Sequence, residues 1–396
     1  MSDLDLWDAE HDEHQSRRPV RRRRRRGKVW AIVLAVLALI GVGAYFGLQK
    51  ILDIGGYDDY SGPGEKDVVV EVQEGSSRGQ IADALMKQGV VASTKAFIEA
   101  GEDDSRVNRI QPGFYVMKTK VSGKDALARI VDKGARKGQF QLRAGSQLDD
   151  VRNPDGSVVP GIITLLHTAS CVELNGQTTC ASAEDLRKVA ETADLAQLGA
   201  PTWAATAAAR TPIPKHRIEG LVLPDVYDVR PGASAEDLWR TLLTRSRATF
   251  DSVGMPGIAD GMGFTPYDVL IMASLIEREA ITADFPKVSR VTYNRLAKPM
   301  KLQYDSTINY VLDRPMIRTR PEDRAKAGGY NTYQNAGLPP TPIGSPSKKA
   351  IEAAAKPADG PWLFFVKCEK NGLSCFAETN QQHDQNVRDA QARGAW

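Results

Sequence analysis

The feature that most limits what this chain can fold into is a run of twenty residues without a charge, Val29–Leu48 (VWAIVLAVLALIGVGAYFGL). As a helix it is about 30 Å long, the thickness of a bilayer core. Arg17, Arg18, Arg21 to Arg26 and Lys28 stand directly before it. Basic residues on that flank keep their side of a membrane helix in the cytoplasm, so everything after about residue 50 lies outside the membrane. A cleaved signal peptide is the competing reading, but the stretch is long for one and has no clear A-x-A site. A nucleic-acid-binding arm or a merely solvated tail would also contain such a basic run; its position against the apolar stretch favours an anchor.

The remaining charge argues in the same direction. Residues 1–28 hold nine basic and six acidic residues, and removing them from totals of 52 and 49 leaves 43 of each. A neutral body has no net field with which to hold nucleic acid. The four cysteines form two local pairs, Cys171/Cys180 and Cys368/Cys375, each bracketing a turn-rich segment (Asn175-Gly176 and Asn371-Gly372). That pattern suits hairpins closed by disulfides in an oxidising compartment, and the spacing is too wide for the C-x-x-C of zinc or redox sites.

Residues 1–28 read as a disordered cytoplasmic tail, 29–48 as a transmembrane helix and 49–66 as a linker. In the next segment Val68–Val72 reads as a strand, Ser77–Lys87 and Thr94–Ala100 as helices, Gln111–Met117 as turn plus strand and Gly123–Lys133 as a helix. Together these make a small α+β module over residues 67–137. The signal weakens over 140–215, to which no chemistry can be assigned. Ser234–Thr249 is again helical, with Ala235, Leu238, Leu242 and Leu243 in its apolar stripe.

Phe264-Thr265-Pro266-Tyr267-Asp268 is a strong helix start, with Thr265 as cap, Pro266 at the first helical position and Asp268 facing the open amides. The helix continues with almost no polar residue until Glu277 in ASLIEREA (Ala273–Ala280). Leu270 and Ala273 share a face with Glu277, and a carboxyl on an apolar face is pushed towards neutrality by desolvation. Such a group can remain protonated and donate to a leaving oxygen. Glu279, about 200° further round, should face elsewhere. The plainer reading pairs Glu277 with an arginine such as Arg278 or Arg295, or lets it reach solvent.

At this point the residues resemble the MltG/YceG-like family of endolytic murein transglycosylases. ASLIEREA is similar to the family's catalytic helix motif, whose first Glu corresponds to Glu277. Tyr293–Leu296 (YNRL), Leu302–Thr307 (LQYDST), Tyr330–Tyr333 (YNTY), Gly337–Pro340 (GLPP) and Pro342–Pro346 (PIGSP) follow its N-R-L, L-Q-x-D-P-T and Y-N-T-Y…G-L-P-P-x-P-I patterns. Glu219–Tyr227 (EGLVLPDVY) is similar to its E-G-x-x-x-P-D-T-Y segment, and the module at 67–137 resembles its LysM-like subdomain. Ser306 stands where Pro is usual, Val226 where Thr is usual, and the Cys171–Cys180 stretch looks inserted.

The resemblance implies an α+β protein in which one N-terminal transmembrane helix precedes a LysM-like α+β module and an α+β catalytic domain at 138–396, with 140–215 partly inserted. It implies cleavage of the MurNAc–GlcNAc bond within nascent glycan strands, leaving 1,6-anhydro-MurNAc ends and terminating elongation, with Glu277 as acid and base. The sugar's own 6-hydroxyl is then the nucleophile, which removes the need for the second carboxylate of hydrolytic glycosidases. Gln303, Asp305, Tyr330, Asn331, Tyr333, Asn294 and Glu219 are the candidate substrate-binding residues; each could equally tie loops together. His383 carries either a structural hydrogen bond or a catalytic role. No metal or cofactor is expected, and no nucleic acid; the expected partners are glycan strands, the membrane, and peptidoglycan synthases or division proteins. A non-enzymatic peptidoglycan-binding or division scaffold and a hydrolytic muramidase are the competing functions. Metalloprotease and serine-hydrolase readings lack their motifs, since the chain has no H-E-x-x-H or G-x-S-x-G.

Overall fold

The computed structural model describes residues 24–52, 56–312 and 319–395. Most of the expected tail therefore lies outside the described residues, and so does part of the linker. The chain forms two compact units, Met1–Asp58 and Asp59–Trp396. The first contains helix α1, Arg24–Leu52, which begins inside the segment read as tail. Between residues 30 and 44 its side chains are exposed, including Trp30, Leu34 and Leu39. Among the described residues no helix is long and apolar enough to cross a membrane.

The second unit opens with a module built from β1 (Asp67–Val72), α2 (Arg78–Lys87), α3 (Thr94–Ala100), β2 (Gly113–Lys118), α4 (Gly123–Ile130) and β3 (Arg136–Lys137). Its strands form an antiparallel sheet in the order β1-β2-β3. Helix α2 starts at a Ser77/Gln80 capping box, and Ser93 and Ser122 cap α3 and α4 through their side chains, which fixes where each helix begins. Val70, Val72, Leu85, Phe97, Met117 and Leu127 belong to a hydrophobic cluster of the module's own.

The remainder builds around a larger cluster. Strand β4 (Gln139–Leu142) leads through the short hairpin β5 (Val151–Arg152) and β6 (Val158–Val159) to α5 (Ile162–Ser170). A hairpin of β7 (Val172–Leu174) and β8 (Gln177–Thr179) follows, then α6 (Ala183–Thr192), α7 (Thr202–Ala208), β9 (Asp225–Asp228) and α8 (Ala235–Ser252). Next come α9 (Pro266–Glu279), α10 (Phe285–Leu296), α11 (Asp305–Asn309), α12 (Pro321–Ala325) and α13 (Lys348–Ala355). Hairpin β10 (Phe364–Lys367) and β11 (Ser374–Ala377) and helix α14 (Asn380–Arg393) complete it. The region with weak sequence signal is thus folded into the main core: Leu142, Ile162, Leu166, Leu186 and Ala204 are buried. Its signal is weak because short helices rich in alanine and strands of two to four residues carry little periodicity. β4 finds its antiparallel partner β9 some 80 residues downstream, with Phe140 stacked on Tyr227.

Both cysteine pairs are joined as disulfides, Cys171–Cys180 across β7–β8 and Cys368–Cys375 across β10–β11. The first hairpin ends in Asn175 and Gly176, both with positive φ, as a tight two-residue turn requires. Its tip meets the first strand of the module. Asp67 N–H donates to Asn175 Oδ1 and Asn175 N–H donates to Asp67 Oδ2, both at 2.8 Å. A second tie joins Arg136 on β3 to Asp228 on β9 at 2.9 Å.

Asn175→Gly keeps the left-handed turn and deletes both side-chain bonds, the 2.8 Å one from Asp67 N–H and the long 3.4 Å one to Asp67 O, leaving the bond from its own N–H. Exposed hydrogen bonds contribute about 0.5–1.5 kcal/mol each, so hydrogen exchange at Val68–Val72 is expected to quicken by a few-fold to about tenfold. Protection in α8 and α9 should not change; equal loosening of both regions would refute the hairpin's role as a strut.

Candidate active site

Helix α9 begins with the capping box read from its sequence: Thr265 Oγ1 accepts from Asp268 N–H and Asp268 accepts from Thr265 N–H. From Val269 to Ile276 every residue is buried, Ser274 included. A helix apolar on all faces is stable only as the centre of a core, and α7, α10, α11 and α13 pack around this one. Ser274 resolves its own polarity inside that core, donating to Ile271 O and accepting from Ile343 N–H. The contact docks the PIGSP segment onto α9.

Glu277 lies where α9 leaves the core and is half-buried. The backbone N–H of Ser347 and its hydroxyl both donate to Oε2, at 2.9 and 2.5 Å. Ser347 is also the cap of α13, accepting from Ala350 N–H, so one residue both starts that helix and holds the Glu277 carboxyl. Oε1 has no hydrogen-bond partner among the described residues. The apolar setting expected for Glu277 is therefore corrected. Leu270 and Ala273 are buried beneath it, but the carboxyl reaches past them to polar donors.

The enclosed acid is Glu219, which is 1% exposed. Its Oε2 accepts from Leu148 N–H at 3.2 Å and from the Tyr310 hydroxyl at 3.0 Å. Its Oε1 is buried without a partner. Burial raises its pKa from 4.5 to about 8, against the pull of those two donors. His216, Tyr310 and Tyr330 cluster close by with ring centroids 4.9 to 5.4 Å apart, and burial lowers His216 to about 4, so it is neutral. Gly220 explains why two distant motifs belong together. Its φ is +74°, and a Cβ there would lie 2.4 Å from Pro342. Gly344 similarly lets the PIGSP loop approach Gly145 O and Ser146 O, to 3.1 Å from where a Cβ would be. Backbone bonds Gly145 N–H to Ser345 O and Ser345 N–H to Ser146 O seal that approach at 2.8 Å. Arg278 joins it by donating to Gly145 O.

Glu279 does face elsewhere, and its neighbours give it a separate place. It accepts from Ser306 N–H at 3.2 Å, and burial raises its pKa. Proline at 306 could not make that bond, so the departure from the family pattern adds a donor to an enclosed carboxylate. Asp305 accepts from Thr319 Oγ1, Tyr333 OH and Arg324. Burial alone would raise its pKa; the two hydroxyls and the Arg324 charge outweigh it and hold it below the usual carboxylate range.

Of the seven residues read as substrate-binding, six make side-chain hydrogen bonds within the protein: Glu219 and Asp305 as above, and Tyr330, Asn331, Asn294 and Tyr333. Tyr330 is 2% exposed and its hydroxyl lies 2.8 Å from His216 Nδ1 and 2.7 Å from Thr341 Oγ1. Asn331 is 4% exposed, donates to Arg324 O and Lys326 O, and accepts from Tyr333 N–H. Both side chains tie loops together in this structure, as a buried amide or phenol must find partners inside. Asn294 holds Gly360 O and Trp362 O. Asp305 has both oxygens engaged, as above. Tyr333 is half-buried, with Arg324 4.9 Å over its ring. Gln303 alone stays exposed, with a left-handed φ of 54°. His383 stacks on Phe364 at 5.4 Å, where burial lowers its pKa.

Ser347 escaped the sequence reading, although Ser before Lys-Lys-Ala-Ile is a legible helix cap. Tyr310 had no signal at all, since only folding carries it to Glu219. Among the described residues no group of three or more His, Cys, Asp or Glu could hold a metal ion.

A sequence model of the YceG-like family matches residues 70–389. A protein of Streptococcus pneumoniae serotype 2 (strain D39 / NCTC 7466) named endolytic murein transglycosylase is 27% identical over 364 residues, covering 89% of this chain and 63% of the relative. One of the same name from Bacillus subtilis (strain 168) is 28% identical over 332 residues, covering 81% of this chain and 85% of the relative. The chain thus spans under two thirds of the pneumococcal protein's length. A Listeria monocytogenes protein whose crystal structure is described as yceG-like superposes with a TM-score of 0.49 at 23% identity, covering 81% of this chain and 99% of that one.

The buried Glu219 has a thermodynamic consequence. Because its folded pKa lies above its ordinary value, the folded state holds a proton that the unfolded chain has lost between pH 4.5 and about 8. Stability contributed by the neutral acid is complete below that window and falls as pH rises through it, by up to ~1.4 kcal/mol per pH unit. Denaturant unfolding across pH 5–8 should show a flatter pH slope for Glu219→Gln than for the wild type. Identical slopes would refute the enclosed neutral acid.

Proposed function

The chain belongs to the YceG-like family, and on that premise we propose that it is an endolytic peptidoglycan lytic transglycosylase whose acid and base is Glu277. One observation carries the assignment within the site. Glu219 is 1% exposed and shut inside the core and Glu279 turns to the backbone of Ser306, while Glu277 is half-buried where α9 leaves the core, with Oε2 held by Ser347 and Oε1 without a partner among the described residues. The names of the pneumococcal and Bacillus relatives support the substrate class.

A single carboxyl suits intramolecular cleavage. Protonated Glu277 gives its proton to the oxygen leaving C1 of N-acetylmuramic acid. The C1–O bond to N-acetylglucosamine breaks as the 6-hydroxyl oxygen bonds to C1, and that hydroxyl's proton passes to the Glu277 carboxylate. The acid is regenerated, and the strand ends in a 1,6-anhydro sugar with no water consumed. Ser347 positions the carboxyl by holding Oε2, which leaves Oε1 for the substrate.

Helix α1 serves in this reading as a single-pass anchor with its N-terminus in the cytoplasm. The charge-free Val29–Leu48, the basic flank and the exposed apolar side chains support it, and the two disulfides suit an oxidising exterior. The module at 67–137 is LysM-like and holds the glycan. An anchored cutter meets strands as they are made, which would set where elongation ends and place it beside peptidoglycan synthases or division proteins.

Purified peptidoglycan digested by the full-length protein in detergent should release anhydro-muramyl products detectable by mass spectrometry. Glu277→Gln should lower the rate about a hundredfold or more, the usual contribution of a general acid–base group. Ser347→Ala, losing one hydrogen bond to a charged group, should lower kcat about tenfold with little change in KM, while Ser347→Thr retains activity. Reducing muramic ends in place of anhydro ends would establish a hydrolytic muramidase, and strand binding without any cleavage a scaffold. For the anchor, alkaline carbonate should leave the protein in the membrane fraction; release into the supernatant would refute it.

A further inference from the structure

Between the module and the body of the second unit lies a half-open cavity of about 1110 Å³ that takes no part in the site around Glu277. Its walls come from the segment before β2, the end of α4, β3, β4 and the outer face of α5. That size is above the roughly 300–1,000 Å³ of pockets that bury a small ligand, and with one side open it suits a segment of a larger one.

The charge of its walls is one-sided. Arg106, Arg109, Lys133, Arg136 and Lys137 line it against a single acid, Asp132. The chain beyond residue 28 is neutral overall, so this excess is a local arrangement. Asp132 is paired with Arg129, and the acids that pair with Arg106 and Arg136 (Asp104 and Asp228) do not line the cavity. Arg109, Lys133 and Lys137 have no ion-pair partner among the described residues. Between the cations lie apolar surfaces, from Ile110 and Val131 to Phe140 and Leu165. The two sides are held at a set separation by the Asp67–Asn175 and Arg136–Asp228 contacts.

Convergent cations over small apolar surfaces match a short peptide with free carboxylates and small aliphatic side chains. Guanidinium groups bind carboxylates through paired N–H bonds, and lysines add point charge. We propose that this cavity binds the acidic stem peptide carried by peptidoglycan strands, as a second substrate site separate from the glycan-cleaving one. The assignment rests on the reading of the chain as a peptidoglycan-cleaving enzyme. It gives the inserted hairpin a purpose, because the disulfide-closed strut holds one side of the cavity against the other.

The test is binding of fluorescently labelled N-acetyl-L-Ala-γ-D-Glu-diaminopimelate-D-Ala to the full-length protein in detergent, followed by anisotropy. The wild type and Glu277→Gln should bind it equally. The triple variant Arg109→Glu, Lys133→Glu, Lys137→Glu should lose at least about tenfold in affinity, and raising the salt concentration should weaken the wild type towards it. Lys133→Arg with Lys137→Arg keeps the charge and should retain binding, which separates lost recognition from a misfolded variant. The same peptide with its carboxyls amidated should not bind. Equal binding by wild type and triple variant, or no binding by the wild type, would overturn the proposal. So would equal competition by short-chain polyphosphate, which would show that the cavity reads charge and not peptide. Cleavage of strands stripped of their peptides, assayed in parallel, separates the two readings: cutting without peptide binding defeats only this site, and peptide binding without cutting defeats only the lyase.

Discussion

The burial of α9 is the constraint on which the rest of the second unit depends. Eight consecutive residues from Val269 to Ile276 are withdrawn from water. At about 25 cal/mol per Å² of apolar surface, each of its large apolar side chains contributes about 1.5–3 kcal/mol by burial. A helix surrounded on every side leaves solvent only at its ends, and the proposed chemistry is at one of them. Thr265 and Asp268 close the first end. At the other, Glu277 emerges against the cap of α13, so the helix that holds the core together also sets where the acid stands.

Three glutamates near one another are given different states by their surroundings. Glu219 lies deep, its charge opposed by burial, with only Tyr310 and a backbone amide as donors. Glu279 turns to the LQYDST segment and is also desolvated. Glu277 is the one held by a helix cap, with Ser347 donating twice to Oε2 where α9 leaves the core. One sealed acid and two partly buried ones with different donors are three environments for one side-chain type, set by packing and not by sequence position.

The module, the inserted hairpin and the body of the unit show a second kind of dependence. None of the ties between them is strong: two reciprocal bonds at the hairpin tip and one half-buried ion pair. Their effect comes from geometry, since a disulfide keeps the hairpin closed while its tip reaches the first strand of the module. Weak contacts on a stiff support are enough to hold a cavity at a defined width.

Much of this could be read from the residues alone where short-range physics decides. The caps at Ser77, Ser93, Ser122, Ser234 and Thr265 follow from side chains that satisfy amides three residues on. The apolar period of α8, the all-round apolarity of α9, the turn at Asn175-Gly176 and both cysteine pairings are equally local. The ordered motifs from Glu219 to Pro346 also mark the family from sequence alone. Contacts between distant segments decided the rest. Whether Tyr330 and Asn331 meet substrate or each other's loops depends on burial, which donors and acceptors on a sequence cannot reveal. Leu270 and Ala273 indicated an apolar setting for Glu277, but its environment is set by Ser347, seventy residues away. Glu219 became the enclosed acid because Gly220 folds against Pro342 and Tyr310 swings over it. Sequence determined the capped helices of the module, α8 and α9, and the acid that ends the buried run of α9; tertiary structure alone decided which carboxyls are shut away from water, because desolvation is a property of everything packed around a group and not of its neighbours in the chain.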